Sequence, residues 1–166
     1  MTSTPAVPEK AVYKGSCHCG FVTYTAQLDF ANPTPEMRGA SATRCNCTIC
    51  HKAGYLLIDP GPNGAFKLLT PPEGEPALSD YSFGPRHGMH HPFCPKCGVR
   101  CFLKGKYVLD DGKEIPVFRI NVLTLDGKVD GTPMGGLGGL KIKYWDGKSD
   151  DWSKDAADEP WEGGVK

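Results

Sequence analysis

The sequence predicts a mainly β domain made of several small sheets. Three observations carry that prediction. The chain of 166 residues holds 21 glycines and 15 prolines, a composition that favours short strands and turns over long helices. Runs of β-formers four to eight residues long recur between these turn residues. No stretch shows the 3.6-residue apolar period of a long amphipathic helix.

Taken in order, residues 1–10 are rich in Pro and Thr and predict a disordered tail. Val12–Cys17 and Phe21–Leu28 alternate as a hairpin with Cys17-His18-Cys19-Gly20 at its tip. Phe30–Ala42 is broken by Asn32, Pro33, Pro35 and Gly39 and reads as a loop. Thr43–Cys47 enters as a strand, and Thr48–Ala53 makes a helical turn that Gly54 ends. Tyr55–Ile58, Ala65–Leu69, Leu78–Phe83 and His90–Phe93 read as strands. Val99–Leu109 reads as a strand pair turning near Lys104–Lys106, and Ile115–Leu125 is the strongest β segment. Met134–Leu140 is Gly-rich without a phosphate-loop pattern and reads as a flexible connection. The domain is expected to span 11–152, followed by an acidic tail at 153–166.

Formal net charge is zero, which gives no field to steer the molecule onto nucleic acid. No apolar run is long enough to span a membrane. The N-terminal residues show no apolar leader, so a cytoplasmic, reducing setting is expected. In that setting the eight cysteines read as metal ligands rather than disulfides.

Zinc takes thiolates in tetrahedral sets that usually arrive as close pairs. Cys94-Pro95-Lys96-Cys97-Gly98 is one such turn, and Cys17-His18-Cys19-Gly20 is its natural partner. Together Cys17, Cys19, Cys94 and Cys97 predict a closed structural zinc site. Cys45-Asn46-Cys47-Thr48-Ile49-Cys50 sets three thiols within six residues. Three ligands with an exchangeable fourth position would make a catalytic zinc. Alternatively Cys101 supplies a fourth sulfur and the second site is also structural. Spacing leaves both open, and zinc is favoured over iron for redox-neutral thiolate sites.

The blocks Gly15–Gly20, Cys45–Cys50 and Phe93–Gly98, in this order and separation, resemble the glutathione-dependent formaldehyde-activating family, which includes the centromere protein V domain. Arg119-Ile120-Asn121-Val122 and Leu125-Asp126-Gly127 resemble its C-terminal part. The resemblance implies an Mss4-like fold of small antiparallel sheets stapled by two zinc ions. It implies a structural zinc on Cys17, Cys19, Cys94 and Cys97 and a catalytic zinc on Cys45, Cys47 and Cys50. It also implies a carbon–sulfur lyase or synthase that works on a glutathione adduct, the family's named product being S-(hydroxymethyl)glutathione. The competing class is a non-catalytic binding module with two closed cysteine sites. His51 is the nearest acid or base to the three-thiol block, and Arg44 and Lys52 flank it as candidate glutathione contacts. Residues 86–106 carry five Lys or Arg and no acid, a second stretch that could attract an anionic peptide. His90 and His91 stand in reserve as ligands.

Overall fold

The structure is a computed structural model that describes residues 10–61, 64–83, 88–108, 111–135, 137–150 and 154–165. It is mainly β, as predicted. Among the described residues ten strands form two sheets, with one short α-helix. Strands β1 (Ala11–Ser16) and β2 (Thr23–Leu28) form the expected antiparallel hairpin, with Tyr13 opposite Ala26 and Ser16 opposite Thr23. β3 (Ala42–Cys45) leads into α1 (Thr48–Ala53), and β4 (Leu57–Ile58) and β5 (Lys67–Thr70) follow. β6 (Met89–His90), β7 (Phe102–Val108), β8 (Glu114–Asn121), β9 (Leu125–Lys128) and β10 (Ile142–Trp145) complete the set. One sheet has the order β5-β2-β1-β9 and the other β10-β3-β4-β8-β7-β6. The β10–β3 pair is parallel.

Side-chain alternation along the six-stranded sheet creates two cores. Ile58, Phe102 and Ile120 join Tyr13, Tyr24, Leu28 and Phe30 of the hairpin region in the larger one. Phe66 packs on Phe102 and Phe118, with ring centroids 5.0 and 4.8 Å away. Leu57, Leu103 and Val117, one position out of phase, gather with Tyr55 into a second core, and Cys50 and Ala53 of α1 pack on it. The helix carrying part of the three-thiol block therefore rests on its own apolar footing.

Several elements depart from the sequence reading. Val99–Leu109 is not a strand pair; its core is the single strand β7, which runs antiparallel to β8 from Phe102 opposite Ile120 to Val108 opposite Glu114. Gly105, taken as a turn residue, sits where a Cβ would lie 1.9 Å from the Gly88 carbonyl oxygen. It permits a close approach of β6. Leu78–Phe83 and His90–Phe93 contribute only the bridge Ser79–Phe93 and the two-residue β6. β10 was not expected at all.

The long Ile115–Leu125 run breaks at Asn121. Its Oδ1 accepts from the N–H of Leu56 and Leu123, each at 3.3 Å, and its Nδ2 donates to the Arg100 carbonyl at 3.1 Å. This buried amide caps a 3-10 turn over Val122–Thr124 and ties it to two other segments. Asn121→Ala would strand buried backbone groups and is expected to cost about 2–4 kcal/mol in denaturant unfolding. An unchanged midpoint would contradict this role.

Of the predicted N-terminal tail only Lys10 falls among the described residues. Among those residues no helix is long and apolar enough to cross a membrane.

Candidate metal centres and the thiol cleft

The two cysteine groups emerge from local backbone chemistry. At the hairpin tip the N–H of Cys17 donates to the Val22 carbonyl at 2.9 Å, and the N–H of Gly20 donates to the Cys17 carbonyl at 3.0 Å. The 94–99 turn repeats this pattern, with the N–H of Cys94 donating to Val99 O at 3.0 Å and that of Gly98 donating to Cys94 O at 2.9 Å. Gly20 and Gly98 have φ of 75° and 76°, a region that β-carbons disfavour. Backbone N–H groups of Val22 and Lys96 then point at the sulfurs of Cys17 and Cys94, at 3.2 and 3.4 Å.

These two turns meet. The Cys19 sulfur lies 3.6 Å from that of Cys17 and 3.6 Å from that of Cys94. Cys17, Cys19, Cys94 and Cys97 have all four sulfurs within 4.8 Å of one another. Metal–sulfur bonds of about 2.3 Å in a tetrahedron give sulfur–sulfur edges of about 3.8 Å, so the set fits a thiolate-bound zinc-sized ion. All eight cysteines are free thiols. Burial opposes ionisation of Cys97, but N–H groups of Val99 and Cys19 and the thiols of Cys94 and Cys19 outweigh it and pull its pKa down to about 6.

The second group is built around α1. Cys45 ends β3, Cys47 caps the helix, and Cys50 follows three residues on, which places it on the same face. Gly54, at φ 65°, closes the helix as predicted. The three sulfurs lie within 4.8 Å of one another, and no fourth His, Cys, Asp or Glu among the described residues joins them. Cys101 is elsewhere. It is 2% exposed in the larger core, close enough to feel the charges of Cys17, Cys97 and Cys94. Burial pushes its thiol up to about 12. The trio can therefore hold an ion through three sulfurs and keep one position open.

Without metal the trio shares one negative charge. The thiols of Cys45 and then Cys50 donate to the Cys47 sulfur. Against the cost of burial, the N–H groups of Cys50 and Ile49 add to them, and Cys47 is pulled down to about 3. Donation to Cys47 holds the proton on Cys45, raised to about 11, and Cys50 is raised with it by donation to its neighbours and by burial. Cys47 is thus ionised and the other two protonated at neutral pH. Metal uptake by the trio is expected to release about two protons, so that apparent affinity falls about 100-fold per pH unit lowered through the neutral range. Metal titration at two pH values checks this; a pH-independent affinity would contradict it.

A cleft opens beside the trio, lined by Arg44, Cys45, Asn46, Cys50, His51 and Tyr55, by Tyr144 and Trp145 of the neighbouring strand β10, and by Trp161, Gly164 and Val165. Arg44 lines it, and the buried Nε of Arg44 has no hydrogen-bond partner among the described residues. His51 lines the cleft and is exposed, whereas Lys52 is exposed and does not line it.

One contact near the cleft had no sequence signal. Tyr55, directly after the helix stop, is buried with its hydroxyl 3.3 Å from Nδ1 of His91. His91 is itself buried, and burial and the Arg100 charge lower its pKa. The basic stretch is dispersed. Lys104 pairs with Glu75, Lys106 pairs with Glu114, and Lys96 lies over the Phe21 ring at 4.3 Å. Arg86 and His87 lie outside the described residues.

Residues 12–133 match the family described as glutathione-dependent formaldehyde-activating enzyme. The chain belongs to that family. A crystal structure of a Rhodobacter sphaeroides protein is similar at 25% identity, over 69% of this chain and 88% of that one, with a TM-score of 0.45. Comparison with curated proteins finds no significant match. Family membership and the paired cysteine groups agree with the Mss4-like, metal-stapled fold expected from the sequence.

Proposed function

We propose that this family member is a zinc-dependent carbon–sulfur lyase or synthase that joins glutathione, or a similar thiol, to a small carbonyl compound and can run the reaction in reverse. The observation that carries this reading is the trio Cys45, Cys47 and Cys50, held together without a fourth protein donor among the described residues and opening on a cleft. In this reading Cys17, Cys19, Cys94 and Cys97 hold a structural zinc. The trio holds the second ion, which supplies Lewis acidity that keeps an incoming thiol ionised near neutral pH.

The chain's residues do the rest. Arg44, which lines the cleft, binds a carboxylate of the thiol substrate through its guanidinium. Lys52 adds positive charge near the helix end. The substrate sulfur bonds to the carbonyl carbon, the carbon–oxygen π pair moves to oxygen, and the proton lost by the thiol ends on that oxygen. His51, at the cleft mouth, relays that proton. In reverse the same groups take the hydroxyl proton as the carbon–sulfur bond breaks. A cytoplasmic location fits both a thiol substrate and reduced cysteine ligands.

Calorimetric titration with glutathione tests the reading. The metal-loaded protein is expected to bind it, and Arg44→Ala is expected to weaken binding about tenfold, the worth of one charge-assisted hydrogen bond. Undetectable binding to metal-loaded wild type would overturn it.

A further inference from the structure

The family match ends at residue 133, yet one wall of the thiol cleft comes from residues 144–165. The segment 154–165, expected as an acidic tail, lies across β10 as a strap. Tyr144 and Ala157 exchange two backbone hydrogen bonds of 2.9 Å. Lys143 pairs with Asp158 at 2.7 Å, and Arg38 pairs with Asp155. The indole N–H of Trp161 donates to the Tyr144 carbonyl at 3.0 Å, which fixes the ring against the cleft.

The strap is also tied to the three-thiol block itself. Asn46, between Cys45 and Cys47, is buried. Its Nδ2 donates to Asp146 Oδ1 at 2.8 Å and to the Glu162 carbonyl at 3.4 Å, and its Oδ1 accepts from the N–H of Lys148 at 2.9 Å. One amide thus ties the loop between Cys45 and Cys47 both to Asp146 and Lys148 and to Glu162 of the strap.

We infer that Trp161, which lines the cleft together with Val165, is the specificity-determining residue of this chain, and that it excludes electrophiles with a bulky substituent. The inference rests on the function proposed above. An indole anchored by this hydrogen bond cannot swing away without losing it, so a bulky substituent on the electrophile meets the ring. Discrimination of this kind works by exclusion, and removing the obstacle is expected to confer a gain rather than a loss.

Two readouts test it. The first is turnover of glutathione with formaldehyde and with benzaldehyde. Trp161→Ala is expected to raise kcat/KM for benzaldehyde relative to formaldehyde at least about tenfold, within the range set by pocket volume, and Trp161→Phe is expected to stay near wild type. The second needs no turnover: the rate at which the thiols of Cys45, Cys47 and Cys50 in the purified protein react with an aromatic disulfide, divided by the rate with iodoacetamide. Trp161→Ala is expected to raise that ratio at least about tenfold. Should Trp161→Ala not fold, Val165→Ala is expected to move both ratios the same way, by about threefold. Unchanged ratios in folded variants, or a wild type that already accepts benzaldehyde as readily as formaldehyde, would overturn the inference while leaving the functional reading in place. No turnover of either aldehyde by wild type would overturn the functional reading, and the reagent ratio would still decide whether the strap screens the thiols.

Discussion

Cys94→Ala is expected to leave the protein without a cooperative folded state at room temperature. The four-sulfur group joins the β1–β2 hairpin to a turn some 75 residues later, with Cys19 and Cys94 in direct contact. Structural zinc in small thiolate sites contributes about 10–16 kcal/mol of apparent binding free energy, which exceeds or equals the entire stability of an ordinary domain, about 5–15 kcal/mol. Losing one of four ligands forfeits a large part of that. The Cys94 sulfur is also buried and receives the Lys96 N–H, so its removal leaves a cavity and an unsatisfied donor. Circular dichroism melting with metal analysis reads the effect. Cys101→Ala is the matched control: an equally buried thiol outside both groups, expected to cost about 1–2 kcal/mol for lost packing. A Cys94→Ala protein that melts like the Cys101→Ala protein would refute the structural role.

Cys47→Ser is expected to have the opposite profile: nearly wild-type melting, loss of one metal equivalent, and loss of activity on the order of 100-fold or more. All three sulfurs of the trio come from one short segment, so their metal closes a short loop and contributes little to long-range order. Beneath them α1 has its own footing through Tyr55, Leu57 and Ala53. Function is more exposed. Cys47 is the sulfur on which the shared charge of the metal-free trio rests, and serine's hydroxyl does not ionise there near neutral pH. Metal content, melting temperature and glutathione turnover, measured on the same preparation, check the three parts together. Full activity with one metal equivalent missing would remove the trio from the chemistry.

What the sequence made legible was whatever a short segment decides by itself. The two glycine-closed cysteine turns, the β1–β2 hairpin with its tip at Cys17–Gly20 and the helix stop at Gly54 all depend on residues within a few positions of one another, and all stand as read. Features decided by distant chain were hidden. Gly105 looks like a turn glycine until β6 is seen lying against it. Ile142–Trp145 is only four residues long, and its parallel partner β3 lies a hundred residues earlier. Asn121 interrupts a run of β-formers because its amide is needed by Leu56 and Arg100. Cysteine spacing pointed to the candidate site, while its walls were invisible: nothing in the acidic composition of residues 153–166 says that Trp161 returns to Tyr144. The position of Cys101 was undecidable from alternation, and burial in the larger core separates it from the trio.

Metal-edge X-ray absorption of the zinc-loaded protein, with and without glutathione, tests the central claim most directly. The account predicts two ions per chain. One has four sulfurs under both conditions, and the other has three sulfurs that become four when glutathione binds. Two four-sulfur ions before glutathione is added, or a second site whose sulfur count glutathione leaves untouched, would contradict it.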